Sequence, residues 1–205
     1  MFTTGLRIPA KEIVQAAHDA GALVLLDGAQ TGGQMILDVT AIGADFYTIS
    51  GQKWLLGPTG SGALYMSPAS RERVAPLFTG PGLDSRTGMA MYTLTSQSTP
   101  TLAGLAEAIR VNGELGRERV EARIMELASR LRAGLLDIKG VRPNGPAAGS
   151  GLTVVAVDGH EPTALVEALW TNDRIVARAV PFPAGLRFCT APFNNEADVD
   201  GAIEA

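Results

Sequence analysis

The chain has 205 residues, of which 46% are hydrophobic, and a formal net charge of −4 at pH 7. This composition supplies a buried core for one or two domains, and the acidic balance argues against a nucleic-acid or anionic-membrane partner. A single cysteine cannot form an internal disulfide, and the sequence shows neither a secretory signal nor an apolar run of transmembrane length, so we expect a cytoplasmic protein.

The first predicted elements are the end of a strand, a helix and a second strand. Residues Phe2–Gly5 resemble the last residues of a strand, and Pro9 opens a helix whose apolar face continues to Gly21. Ala22–Leu26 is a short continuous apolar run, which predicts a strand buried on both faces of a parallel sheet. Asp38 is expected to cap a short helix.

Polar side chains follow two neighbouring strands at the points where they end. The second of these strands is predicted over Asp45–Ser50, and a glycine-rich loop then leads to a third strand over Ala63–Met66. In open parallel sheets, ligands bind at the carboxyl ends of the strands. The residues placed at this edge are Asp27, Gln30, Ser50, Gln52 and Lys53.

This set of residues suits pyridoxal 5'-phosphate (PLP). Lys53 supplies the amine for a Schiff base with a carbonyl cofactor. Asp27 favours the protonated pyridine nitrogen, and Gln30 can hydrogen-bond the ring oxygen. Ser50 and Gln52 can donate to the phosphate.

A simpler interpretation is also open. Asp27 can cap a turn, Lys53 can be a solvated loop lysine, and the glycines can be ordinary turn residues. A Walker phosphate loop is excluded, because the glycine-rich loop over 57–62 is not followed by Lys and then Ser or Thr.

At two motifs the chain resembles the class V aminotransferase family, which contains the cysteine desulfurases. The family shows a strand ending in Asp-x-x-Gln, here Asp27-Gly28-Ala29-Gln30, and then Ser-Gly-His-Lys before a Gly-Pro-x-Gly loop, here Ser50-Gly51-Gln52-Lys53 before Gly57-Pro58-Thr59-Gly60. The resemblance implies Lys53 as the Schiff-base lysine, Asp27 at the pyridine nitrogen, Gln30 at the ring oxygen and Ser50 at the phosphate. Gln52 stands where the family usually has His.

The segment from Arg71 to Thr99 has a looser pattern, typical of a flexible active-site loop or of a plain surface connection. In the family a Gly-Thr pair stands before the interdomain helix, and its hydroxyl reaches the phosphate of the partner subunit in a homodimer. The matching pair here is Thr95-Ser96, so the resemblance implies Ser96 as a phosphate ligand.

The remainder predicts a long helix and a compact α/β unit. Apolar residues from Leu102 to Leu135 recur at steps of three and four, with a break near Gly113 or Gly116. Beyond Gly140 the predicted elements are strands over Gly151–Val157, Asp173–Val180 and Leu186–Thr190, a helix opened by Pro162, and a final helix over Asn195–Ala205.

Arg187-Phe188-Cys189-Thr190 resembles the family's Arg-x-Ser segment, whose arginine binds the substrate α-carboxylate. The resemblance implies Arg187 as the substrate anchor, with Arg178 as a second candidate and a surface ion pair of Arg187 as the alternative. Cysteine desulfurases carry a reactive cysteine on a mobile loop, and the loop predicted over Ala179–Gly185 has none. We expect a buried, inert Cys189, and therefore a protein that is not a cysteine desulfurase.

The expected architecture is an α/β fold, a partial type I PLP-dependent transferase fold. Residues 1–95 supply part of the large-domain parallel sheet, and residues 96–205 supply the interdomain helix and the small C-terminal domain. The expected function is transformation of an amino acid through Lys53, by transamination, epimerisation or carbon–sulfur elimination; the alternative is a non-catalytic or half-site partner chain. Nothing in the chain matches the family's N-terminal half, so we expect a truncated gene or a separate N-terminal polypeptide, and poor cofactor binding by the chain alone.

Overall fold

The computed structural model describes residues 1–76, 80, 82, 86–93, 96–145 and 149–205. These residues form two compact units. The central unit comprises Pro9–Gly32 and Leu37–Val111, and the terminal unit comprises Met1–Ile8, Gly33–Ile36 and Asn112–Ala205. No helix within the described ranges is long and apolar enough to cross a membrane.

The central unit holds a three-stranded mixed sheet and short helices. Its elements are α1 (Ala10–Asp19), β1 (Leu25–Asp27), α2 (Val39–Ile42), β2 (Phe46–Ser50), β3 (Gly62–Met66), α3 (Pro68–Arg71), a 3₁₀ turn (Gly88–Tyr92) and the first part of α4 (Thr99–Leu115). The strand order is β1-β2-β3, with β1 parallel to β2 and β3 antiparallel to β2. The expected parallel sheet is therefore only partly correct, because the glycine-rich loop folds β3 back along β2.

The core of the central unit lies between α1 and one face of the sheet. It contains Val14, Leu26, Ala44 and Tyr47, all at most 9% exposed. The predicted helix after Pro9 is confirmed, and so is the cap of α2, since the Asp38 side chain accepts from the Ala41 amide at 2.8 Å. The prediction that the first strand is buried on both faces is wrong within this chain, because Leu25 is 59% exposed.

A buried carboxylate joins four elements of the central unit. Asp45, 7% exposed, precedes β2 and accepts from the Val24 amide at 2.7 Å and from Ser70 Oγ at 2.7 Å. His18 Nε2 of α1 lies 2.8 Å from the same carboxylate. Burial raises the pKa of Asp45, but the hydrogen bonds from His18, Val24 and Ser70 outweigh it and hold the pKa below its usual value.

The terminal unit packs helices on a four-stranded antiparallel sheet. Its elements are α5 (Arg117–Asp137), β4 (Val141–Pro143), β5 (Leu152–Val157), α6 (Pro162–Ala168), a π-helical turn (Leu169–Asp173), β6 (Arg178–Pro181), β7 (Ala184–Cys189) and α7 (Glu196–Glu204), in the sheet order β4-β5-β7-β6. The long predicted helix is indeed broken, at Gly116, whose φ of 86° suits glycine.

The core of the terminal unit confirms the predicted helix periodicity. Val120, Ile124, Leu127, Leu131 and Leu135 form the buried stripe of α5. The last three of these pack with Val155, Leu169, Leu186, Phe188 and Val199 from the sheet and the following helices.

Three predicted features of the terminal unit are corrected. Residues Phe2–Gly5 form a turn rather than a strand end, with the Gly5 amide donating to the Met1 carbonyl at 3.0 Å. The strand predicted over Asp173–Val180 begins only at Arg178, because Asp173 ends the π-helical turn and Arg174 takes a left-handed φ of 60°. Most of the loop predicted over Ala179–Gly185 instead belongs to the paired strands β6 and β7, which Phe182 and Pro183 connect.

Candidate active site

The carboxyl ends of β1 and β2 lie side by side, as predicted for neighbouring parallel strands. Asp27, the last residue of β1, pairs in register with Thr48, and Ser50 ends β2 two residues further on. Asp27 Oδ1 accepts from the Ala29 amide at 2.9 Å and from Thr48 Oγ1 at 3.3 Å. Its other oxygen, Oδ2, has no hydrogen-bond partner among the described residues, so one carboxylate oxygen can accept from a ligand.

The turn after β1 is held tightly against the sheet. The Gly28 amide extends the ladder by donating to the Thr48 carbonyl at 3.0 Å, and a Cβ at this position would overlap the Tyr47 ring. Thr31 closes the turn, because its amide and hydroxyl both donate to the Gly28 carbonyl, at 2.9 and 2.7 Å. The backbone at Gln30 is therefore fixed from both sides.

Lys53 lies in a turn that the glycine-rich loop closes. The Gly51 amide donates to the Ser61 carbonyl at 2.9 Å, and the Gly57 amide donates to the Gly51 carbonyl at 2.8 Å. A Cβ on Gly51 would overlap Ser61 Oγ, so this close approach requires glycine. The Lys53 side chain is exposed and has no hydrogen bond or ion pair within the part of the chain that the structure describes. Its amine is available to a ligand.

The residues on either side of Lys53 are anchored by their side chains. The side-chain oxygen of Gln52, Oε1, accepts from the Gly60 amide of the glycine-rich loop. Trp54, which is 7% exposed, donates from its indole Nε1 to Gln30 Oε1 at 2.8 Å. Sequence reasoning missed Trp54, although a large aromatic side chain directly after a proposed catalytic lysine was a visible signal.

The structure thus brings five of the predicted residues to one edge of the central sheet: Asp27, Gln30, Ser50, Gln52 and Lys53. The Ser50 hydroxyl and the Gln52 amide NH₂ group have no partners among the described residues, which leaves two donors beside the Lys53 turn. Their assignment to a cofactor stays a prediction. Asp27 Oδ2 can accept a hydrogen bond from a ligand. The Ser50 hydroxyl and the Gln52 NH₂ group can donate hydrogen bonds, and Lys53 offers an amine.

Ser96 lies outside this cluster of contacts. It is exposed and precedes α4, while Thr95 falls outside the described residues. No side-chain partner of Ser96 occurs in the described ranges. Its role as a phosphate ligand for a partner subunit stays a prediction.

Arg187 belongs to the terminal unit, where it lies in the middle of β7. It is 9% exposed, and its Nη1 donates to the Phe2 carbonyl at 3.0 Å, while the buried Nε has no partner among the described residues. Arg187 forms no ion pair with any described carboxylate, so the alternative of a surface ion pair is wrong. A buried cation without a carboxylate partner is unusual, because burying a charge is costly unless it is paired. Arg178 pairs with it in register on β6 but is exposed.

The expectation of a buried thiol at Cys189 is corrected by the structure. Cys189 is the last residue of β7 and is exposed. Loss of hydration at the thiol nevertheless raises its pKa, and this outweighs the lowering by the positive charge of Arg187. The thiolate form, which is the nucleophile, is therefore disfavoured.

Comparison with known proteins decides the family. The family model described as Aminotransferase class-V matches residues 3–205. The chain belongs to the class-V aminotransferases. The predicted resemblance is confirmed.

Two curated class-V relatives show how much of such a protein the chain represents. It is 31% identical to the isopenicillin N epimerase of Streptomyces clavuligerus, covering 99% of this chain and 56% of the relative. It is 33% identical to a probable cysteine desulfurase of Halalkalibacterium halodurans, covering 83% of this chain and 44% of the relative. The chain spans about half the length of the curated relatives it matches.

Solved structures confirm the fold of this class-V chain. A mutant of C-DES with glycine covalently linked to its PLP cofactor superposes with a TM-score of 0.90 and 25% identity, over 100% of this chain and 57% of that one. A complex of the cystine C–S lyase C-DES with cysteine persulfide gives a TM-score of 0.89 at 25% identity, over 99% of this chain and 57% of that one. The expected type I PLP-dependent fold, present in part, is confirmed.

Proposed function

We propose that this chain is the lysine-bearing part of a PLP-dependent enzyme that transforms an amino acid, with Lys53 as its catalytic residue. The observation that carries the proposal is the Lys53 amine, which lies near the carboxyl ends of β1 and β2 together with Asp27 Oδ2, both groups being without a partner among the described residues. Class-V relatives support it, since a C-DES mutant carries glycine linked to PLP.

The donor set fits the cofactor group by group. Asp27 Oδ2 can accept from a protonated pyridine nitrogen, and its negative charge favours that protonation. Gln30 uses its carbonyl on Trp54, so its NH₂ group is the part that can donate to a ring oxygen. The Ser50 hydroxyl and the Gln52 NH₂ group can donate to the phosphate.

PLP, when bound, withdraws electrons from the Cα of an amino acid and so makes the Cα proton removable. The task of Lys53 is to accept that proton and to return it to carbon, because an amine on a fixed turn is both a base and an acid. Arg187 is proposed to bind the α-carboxylate of the substrate, since a buried guanidinium without a carboxylate partner in the described chain has donors left for one. Its rigid fork orients the amino acid so that one face of Cα is presented.

The proposal covers the proton step that epimerisation, transamination and elimination share. Relatives named isopenicillin N epimerase and cystine C–S lyase represent two of these outcomes. We further propose a homodimer in the full enzyme, supported by the family role implied for Ser96, and a cytoplasmic location, supported by the single cysteine. A half-site partner chain that needs a separate N-terminal half is the second candidate, supported by the share of the relatives that the chain spans.

Borohydride trapping tests the role of Lys53 with built-in controls. The chain has three lysines, and Lys11 and Lys139 are exposed like Lys53. With PLP at one equivalent, reduction followed by peptide mass mapping is expected to place the cofactor on Lys53. Lys53→Ala should lose the adduct, whereas Lys11→Ala and Lys139→Ala should keep it.

Equal labelling of all three lysines would show that Lys53 has no special reactivity and would contradict the proposal. Adding the N-terminal half of a related class-V enzyme is expected to increase the Lys53 adduct if the chain is one half of a site. An unchanged adduct with normal turnover by the chain alone would contradict the half-site candidate.

A further inference from the structure

The contact between Trp54 and Gln30 links the two segments that carry the proposed site. Trp54 directly follows Lys53 in the turn after β2, and Gln30 lies in the turn after β1. The indole Nε1 donates to Gln30 Oε1 at 2.8 Å, and the Trp54 side chain is buried, with 7% of its surface exposed. A buried indole N–H almost always finds a partner, so this bond fixes both groups.

The chemistry of the two groups determines which way the Gln30 amide faces. An indole N–H is a donor only, so it must meet the carbonyl oxygen of the amide and not the NH₂ group. The NH₂ group therefore occupies the other branch of the side chain. Reversing the amide would place two donors against each other and leave the buried indole without an acceptor, which is costly.

The same contact also restrains the main chain at Lys53. Trp54 fixes the residue after the lysine, and the bond from the Gly60 amide to Gln52 Oε1 fixes the residue before it. The lysine side chain itself is exposed and without a partner among the described residues. Among the described residues, Lys53 thus combines a side chain without a partner with a backbone that is anchored on both sides.

We propose that Trp54 is a positioning residue of this site: it orients the Gln30 amide so that NH₂ is the group offered to the cofactor ring oxygen, and it holds the Lys53 backbone in register with that donor. The inference rests on the proposed function for what the two groups bind. It assigns no chemical step to Trp54, which acts through Gln30 and Lys53. The Trp54 side chain thereby sets the position of the Gln30 NH₂ group relative to the Lys53 amine.

The first test needs no cofactor. The chain has two tryptophans, and Trp170 is 51% exposed, so Trp170→Phe assigns the indole N–H signals in a ¹H–¹⁵N spectrum. Gln30→Ala is expected to shift the Trp54 indole signal and to speed its exchange with solvent by about ten-fold or more, because the acceptor is lost. The Trp170 signal should not move. A Trp54 indole signal that is unchanged in Gln30→Ala would overturn the inference.

The second test measures PLP binding and its absorption spectrum. Trp54→Phe keeps an aromatic ring but removes the N–H, and it is expected to weaken PLP binding by about 3- to 10-fold, the effect of one hydrogen bond. It should also shift the visible absorption maximum of the bound cofactor, and Gln30→Ala is expected to shift it as well. Trp170→Phe, the matched control, should change neither quantity.

A double-mutant cycle separates positioning from general stability. If Trp54 acts through Gln30, Trp54→Phe should change PLP affinity by less than about two-fold in the Gln30→Ala background. Fully additive losses, with the spectrum of Trp54→Phe like that of the wild-type chain, would overturn the inference. Absence of the Lys53 adduct in the wild-type chain would instead refute the proposed function, and the indole measurement would still decide whether the Trp54–Gln30 bond exists.

Discussion

Replacing Asp45 with Ala is expected to destabilise the central unit strongly, although Asp45 lies outside the candidate site. The side chain accepts from the Val24 amide, Ser70 Oγ and His18 Nε2 at 2.7–2.8 Å. Ser70 is fully buried, whereas the His18 side chain is 38% exposed. The variant removes the acceptor of all three donors, and the His18 side chain is exposed enough to bond water instead.

The expected cost follows from these contacts. Loss of the acceptor for the Val24 amide costs about 1–2 kcal/mol, and loss of the bond to Ser70 costs about 1 kcal/mol because Ser67 still bonds that hydroxyl. The total is about 2–3 kcal/mol, or about 4–12 °C in the midpoint of thermal unfolding for a chain of this size. Asp45→Asn keeps one acceptor and can donate to Ser70, so its cost is expected to be about 1 kcal/mol.

Thermal unfolding followed by circular dichroism measures these differences. Asp158→Asn is the control, because Asp158 forms an exposed ion pair with Arg142, which contributes no more than about 1 kcal/mol. The folded-state pKa of Asp45 is lowered, so its stabilisation is present above the usual carboxyl pKa and is lost as pH falls through the lower folded value. An Asp45→Ala variant that melts within about 2 °C of the wild-type chain at neutral pH would refute the reasoning.

Three further predictions concern the terminal unit. The hydrogen bond from Arg123 lowers the pKa of Glu196 from 4.5 to about 2, so the difference in melting temperature between the wild-type chain and Glu196→Gln should shrink as pH falls from about 6 to about 2, and a constant difference would contradict the linkage. Cys189→Ser should leave any sulfide release from cysteine unchanged, since the raised thiol pKa disfavours the nucleophile; a loss of steady release would show a desulfurase. Arg187→Lys should raise KM for the amino acid by about ten-fold or more with a smaller change in kcat, because the bidentate fork is lost, and an unchanged KM would remove Arg187 from the substrate site.

Much of the fold was predictable because turn residues and periodicity mark its boundaries. Pro9 adjoins the start of α1, Gly116 separates α4 from α5, and the apolar steps of three and four along α5 are the residues that are buried. These features depend on local backbone preference and on one face of one helix. Both can be inferred from neighbours in sequence.

The strands that the sequence did not predict correctly share a different cause. β4 has only three residues, and its Pro143 disfavours a strand; it forms because it pairs with β5. Ile175 and Val176 favour a strand locally. The π-helical turn and the left-handed Arg174 precede them, however, and β6 begins only at Arg178. Neither outcome is encoded within a short window of sequence.

The features of the candidate site fall into the same two groups, those visible in local sequence and those that depend on distant contacts. Asp27, Ser50 and Lys53 were found because polar residues stand where apolar runs stop. The bond of Trp54 to Gln30 and that of Arg187 to the Phe2 carbonyl join residues 24 and 185 positions apart. Such pairs require the tertiary structure, because no local pattern specifies which distant group a buried donor will meet.

The bond between Arg187 and Phe2 has a consequence for the order of folding. The terminal unit contains residues 1–8 and 33–36 together with 112–205, whereas the described strand pairing of the central unit lies between residues 25 and 66. Nearby pairings close short loops and form quickly, and domains generally fold as units during synthesis from the N-terminus. The central sheet can therefore form on the ribosome before β7, whose Arg187 donates to the Phe2 carbonyl, has been synthesised. The environment of Arg187 is complete only after its own strand has been made.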